Sequence, residues 1–137
     1  MSKFETLTKY LPEIKSGNFG DWYTDKENDG TPEHPIHFPF VEYSQLVYQF
    51  EEDFFAFCEE HPEYEYTKYT ETLAANNIEW GTESMESADV SGLDAKAIIA
   101  MLVGACRADR FCEGALLGFF ESGAIMRWLN RLKEINE

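Results

Sequence analysis

The stretch RADRFCEG, residues 107–114, puts two arginines, two acids and a cysteine into eight positions. It follows directly on AIIAMLVGAC, residues 97–106, the most apolar run in the chain. In helical geometry Arg110 reaches Glu113 at i+3 and Asp109 reaches it at i+4, while Arg107 lies one turn before Arg110. Two chemistries fit these residue types at this spacing. In the first, the arginines clamp a carboxylate or phosphate through paired N–H donors while Glu113 moves a proton. In the second, Arg107, Asp109, Arg110 and Glu113 are a structural polar cluster. The arginines then leave the end of a buried helix and answer acids or open carbonyls on neighbouring elements, a position that also suits the helix dipole. Structural ion pairs are common, so the structural cluster is the expectation and no catalytic residue is assigned.

Three further constellations fall short of a site. DKENDG, residues 25–30, opens like a calcium loop, with oxygen side chains at positions one, three and five and glycine at six. Position three is Glu27 and position twelve is Ile36, and Pro32 and Pro35 bar a following helix. HPIH brings His34 and His37 close in sequence, but Pro35 and the alternating pattern make the segment extended, with the two rings on opposite faces. Cys106 and Cys112 flank the arginines, whose charge would lower a thiol pKa, yet no histidine is near and cysteine is usually a small buried hydrophobe. There is no P-loop, G-x-G-x-x-G, G-x-S-x-G or kinase signature. No metal and no cofactor is expected.

The whole chain narrows the classes. Its 137 residues fit a single domain that buries roughly two thirds of its unfolded surface. The net charge of -15 is uneven: residues 1–43 carry -4, residues 44–92 carry -11 and residues 93–137 carry 0. Such a surface repels nucleic acid and anionic membranes and would attract cations or a basic protein, although solubility is the preferred reading of the acidity. The aromatics, 11 Phe, 7 Tyr and 3 Trp, exceed what a small core needs, so some should line an interface. Three cysteines without a C-x-x-C suit a reducing compartment. MSKFETLTKY lacks the apolar core of a signal peptide, and the apolar run is too short to span a bilayer. A cytoplasmic protein is expected.

Stepping along the chain, Phe4, Leu7, Leu11 and Ile14 predict a short helix whose second half Pro12 threatens. Residues 16–35 are rich in Gly and Pro and read as a loop that lays Phe19 and Trp22 on the core. Residues 36–42 alternate as a strand, which Pro39 confines to an edge. Ser44 should cap a helix from about Gln45 to Glu60, with Val47, Phe50, Phe54, Phe57 and Cys58 inside and Glu51, Glu52, Asp53, Glu59 and Glu60 outside. Tyr66, Tyr69, Leu73 and Asn77 mark a second amphipathic helix, and residues 78–92 read as a mobile loop. A helix that is apolar all round then occupies the centre. A shorter helix with Leu116, Phe119 and Phe120 follows, stopped by Gly123. A last helix turns Ile125, Trp128, Leu129, Leu132 and Ile135 inward. On it Arg127 and Arg131, like charges one turn apart, should pair within the chain with acids of residues 44–92. The sum is a mainly α, single compact domain of about five helices with a minor extended element near residues 36–42. It divides into residues 1–43 (helix and turn-rich segment), 44–92 (acidic helical pair and loop) and 93–137 (core helices).

The segment ADRFCEGALLGFFESGAIMRWLNRL, centred on Arg110, Phe111, Glu113 and Gly114, resembles the C-terminal part of an uncharacterised family of small acidic bacterial domains. FPFVEYSQLVYQF resembles it more faintly, so about two thirds of the chain is covered. The resemblance implies a bacterial cytosolic protein and no assigned activity, catalytic residue or cofactor.

Three functions follow as expectations. The leading one is a non-catalytic interaction domain acting through a protein partner or as a homo-oligomer, without nucleic acid or membrane. The second is an acidic inhibitor, toxin-neutralising or DNA-mimicking, that covers a basic surface with residues 44–92. The third is a small-anion-binding enzyme or receptor built on Arg107, Arg110 and Glu113.

Overall fold

The computed structural model describes residues 4–23, 40–110, 112 and 114–135. The elements run α1 (Glu5–Thr8), α2 (Leu11–Ser16), β1 (Gly20–Tyr23), β2 (Phe40–Tyr43) and α3 (Gln45–Glu60). Two 3₁₀ turns follow, at Pro62–Tyr64 and Tyr66–Lys68, and then α4 (Tyr69–Ala75), α5 (Thr82–Ser87), α6 (Ala95–Ala108), α7 (Ala115–Glu121) and α8 (Ala124–Ile135). The fold is mainly α. Among the described residues there are seven helices of six residues or more, besides the single turn of α1, rather than about five.

Helix α6 is the axis. Every residue from Ala97 to Cys106 is buried, and α4, α7 and α8 pack around it. Asp94 starts it by accepting the Ala97 N–H at 2.9 Å, which satisfies one of the orphan donors of a helix start. Helix α3 has the expected bounds and buries the expected stripe of Val47, Phe50, Phe54, Phe57 and Cys58. Each buried Phe or Val removes enough apolar surface from water to contribute about 1.5–3 kcal/mol. Helix α8 buries Ala124, Ile125, Trp128, Leu129 and Leu132, while Ile135 sits at the edge.

The differences from expectation have physical causes. The N-terminal helix is two helices, and Pro12 lies in the first turn of the second, where its missing N–H has no intrahelical acceptor to lose. Residues 20–23, expected as loop, form a strand whose register against β2 pairs Gly20 with Tyr43 and Tyr23 with Phe40. Phe19 does reach the core, stacked on Phe120 at 5.1 Å. Of the expected strand over residues 36–42, positions 40–42 lie in β2 and positions 36–39 lie outside the described residues, as do DKENDG and both His34 and His37. Ser44 takes the N-cap position of α3, but its hydroxyl makes no cap bond and has no partner; its N–H is committed to the Phe19 carbonyl at 2.9 Å.

The second amphipathic helix is shorter than its pattern. Glu65 has a left-handed backbone (φ 48), which separates the two 3₁₀ turns, and α4 begins only at Tyr69. Residues 78–92 are not loop throughout. Helix α5 lies within them, with Met85 fully buried, and the Trp80 indole donates to the Gly104 carbonyl at 3.0 Å. Gly104 makes that approach feasible, since a Cβ there would stand 3.0 Å from Met85 Cε and 3.2 Å from Trp80 Cδ1.

Candidate functional site

Asp109, the residue after α6, is the hub of the RADRFCEG stretch. Its Oδ1 accepts the Tyr43 hydroxyl at 2.6 Å, the Gly114 N–H at 3.1 Å and the Leu116 N–H at 3.3 Å. The Tyr43 oxygen in turn accepts the Leu117 N–H at 3.1 Å. The first turn of α7 thus receives its cap from an aspartate and a tyrosine of other elements rather than from its own N-cap. That N-cap is Gly114, left-handed at φ 86, a conformation for which glycine is suited. The arrangement ties β2, α6 and α7 at one point.

The arginines stand apart from this hub. Arg107 is half-buried, with its guanidinium carbon 5.8 Å from the Phe55 ring centroid, a cation–π contact with α3. Arg110 is exposed. Among the described residues neither arginine forms an ion pair with a carboxylate. Glu113 lies outside the described residues, and with it the pairs expected at i+3 and i+4. Glu51 of α3 lies close enough for its carboxyl to respond to both Asp109 and Arg110. Burial raises its pKa first and the Asp109 charge raises it further, while Arg110 only partly offsets them. Beside them Tyr48 is 53% exposed and sets its ring edge-on to Tyr43 at 6.3 Å.

Sequence reasoning therefore found Arg107, Asp109 and Arg110 but missed Tyr43, Tyr48, Glu51 and Phe55. One signal was available. Tyr48 and Phe55 recur at helical spacing on the otherwise acidic outer side of α3.

The thiols are set by burial. Cys58 is pushed up to about 12 by loss of water and the nearby Glu59 charge. Cys106 is held well above its ordinary value by burial, then by Glu51. Cys112 is exposed, and all three cysteines are free. Among the described residues no group of three or more His, Cys, Asp and Glu side chains could hold a metal ion. His61 packs on Phe57 at 4.4 Å and its Nδ1 lies 3.1 Å from Glu63.

Arg127 and Arg131 are met within the chain, but by backbone carbonyls and not by carboxylates of residues 44–92. Arg127 donates to the Glu86 carbonyl, and Arg131 Nε–H donates to the Leu93 carbonyl at 2.9 Å. The Arg131 guanidinium also lies 3.5 Å from Glu134 of its own helix.

No helix among the described residues is long and apolar enough to cross a membrane. Comparison with curated proteins and with solved structures finds no match. A family model, described as a family of unknown function, DUF6508, matches residues 1–137. The chain therefore belongs to the DUF6508 family, in which a whole-length match joins the hub at Asp109 and the helices around it to a fold of unassigned activity.

Proposed function

We propose that the protein is a non-catalytic interaction domain, one unit over residues 1–137, that holds a protein partner or a second copy of itself on the face shared by α3 and the end of α6. The observation that carries this reading is Tyr48, exposed on α3 and edge-on to Tyr43, with Arg107 and Arg110 at the end of α6 outside any ion pair among the described residues. Tyrosine and arginine are the residue types that most often dominate binding energy at interfaces. A single exposed aromatic is ordinary. Here Tyr48 meets Tyr43, whose hydroxyl donates to Asp109, the sequence neighbour of Arg110, and Phe55, on the same helix as Tyr48, packs against Arg107 of α6. The free thiols suit a cytoplasmic setting.

The test combines light scattering with affinity enrichment, on wild type, Tyr48→Ala and Arg110→Ala. The expected result is a mass above the 15.8 kDa of one chain, or a specifically retained protein, lost in both variants. A 15.8 kDa monomer that retains nothing overturns the reading.

A second reading, the acidic inhibitor, rests on the exposure of Glu52, Glu59, Glu60, Glu71, Glu79 and Glu83 within the segment of charge -11. Charge would steer its association. It requires steeply salt-dependent binding to a basic protein, and salt-insensitive binding rejects it.

A further inference from the structure

A groove of about 470 Å³ runs between α8 and the chain that joins α5 to α6. None of its residues belongs to the face of α3 and α6, so it goes beyond the reading above. Arg127, Asn130 and Arg131 line one wall, and Ser87, Val90 and Ser91 line the other.

Both arginines are fixed; Arg127 has no carboxylate partner among the described residues, and Arg131 has only the long contact with Glu134. Arg127 spends one N–H on the Glu86 carbonyl, and Arg131 spends its Nε–H on the Leu93 carbonyl. These acceptors orient the two guanidinia without carrying charge themselves, and each guanidinium keeps further N–H donors beyond the bonds named. The acids around the groove compete weakly. One oxygen of Asp89, Oδ1, is turned to Ser91, accepting its N–H at 3.0 Å and its hydroxyl at 2.7 Å. The Glu86 carboxylate lies toward α7, 3.8 Å from where a Cβ on Gly118 would stand. Glu134 reaches Arg131 only at 3.5 Å and is 68% exposed.

We propose that this groove binds a carboxylate group, held by Arg127 and Arg131 with the Asn130 amide, while Val90 and Ala88 accept a small apolar neighbour. The planar guanidinium fork matches a carboxylate in two parallel bonds. A singly charged group is favoured over a phosphate dianion because the protein's own charge of -15 repels the second charge more strongly. The carboxylate has two sources, the C-terminus of a peptide or a small free acid.

The test is an NMR titration of the full chain with three probes: N-acetyl-Gly-Ala-Val, the same peptide as its C-terminal amide, and propionate. Shifts of the Val90, Ser91 and Asn130 signals are expected with the peptide acid and not with the amide. Arg127→Gln and Asn130→Ala, both changes at exposed positions, should each weaken binding, by about tenfold or more for the arginine, with melting unchanged. Propionate binding as tightly as the peptide acid assigns the groove to small acids; much weaker binding assigns it to peptide C-termini. Equal binding of acid and amide, undiminished binding in Arg127→Gln, or no shifts at millimolar probe overturns the proposal.

Discussion

The Tyr43 hydroxyl and the Asp109 carboxylate meet at 2.6 Å across 66 positions of sequence, and together they close the first turn of α7. Asp109→Ala removes the acceptor of three donors at once. It should cost about 2–4 kcal/mol, since partly buried N–H groups are left unmet. Arg110→Met, at an exposed residue that forms no ion pair among the described residues, should cost about 0–1 kcal/mol, as for an exposed charge. Thermal melts of the two variants decide the matter. A larger loss in Arg110→Met would move the structural centre of RADRFCEG from the aspartate to the arginine.

Glu51 gives stability a pH dependence of defined sign. Its folded pKa lies above the ordinary carboxylate value because of burial first and the Asp109 charge second. The native state then binds the proton more tightly than the unfolded chain. Stability from this group is full below the ordinary value and is lost as pH rises through the raised one. Glu51→Gln should therefore melt above wild type at neutral pH, and the difference should vanish toward about pH 4 and below. A neutral-pH melt below wild type would mean that the charge on Glu51 is held favourably.

Thiol accessibility follows from burial. A thiol reagent on the native protein should modify Cys112 alone, because Cys58 and Cys106 are buried and resist forming thiolates. Denaturant should release all three. Rapid native modification of a second cysteine would show that the α3–α6 contact opens easily.

Gly104→Ala tests the seat of Trp80. Alanine gains about 0.5–1 kcal/mol of helix preference. Its methyl, however, would press on Met85 Cε at 3.0 Å and Trp80 Cδ1 at 3.2 Å, and Met85 is fully buried. Overpacking of this kind costs about 1–3 kcal/mol, so a net loss is expected, with a change in tryptophan fluorescence as the indole leaves the Gly104 carbonyl. A variant more stable than wild type with unchanged fluorescence would show that Met85 repacks freely.

What could be read from the chain is what repeats locally. Val47, Phe50, Phe54, Phe57 and Cys58 keep one helical stripe between Ser44 and Pro62, so α3 was legible to its ends. Helix α8 was legible by its stripe in the same way, and α6 by being apolar all round. Strand β1 was not, because GDWY owes its extension to β2, whose Tyr43 faces Gly20 across 23 positions and whose Phe40 faces Tyr23 across 17. Helix α5 offers one apolar residue, Met85, and is held by contacts with α6 that no local pattern announces. The site divides likewise. Asp109 and the arginines stand together in sequence, whereas Tyr43 and Glu51 arrive through the packing of β2 and α3.

The shared cap of α7 also sets an order in time. Tyr43 is synthesised 74 residues before Leu117, whose N–H its hydroxyl receives. At the usual pace of about 5–20 residues per second, the tyrosine leaves the ribosome roughly 4–15 seconds ahead of the helix it completes. Asp109 can meet the Gly114 and Leu116 N–H groups locally, but the Leu117 N–H finds its acceptor only when α7 returns to a strand made much earlier.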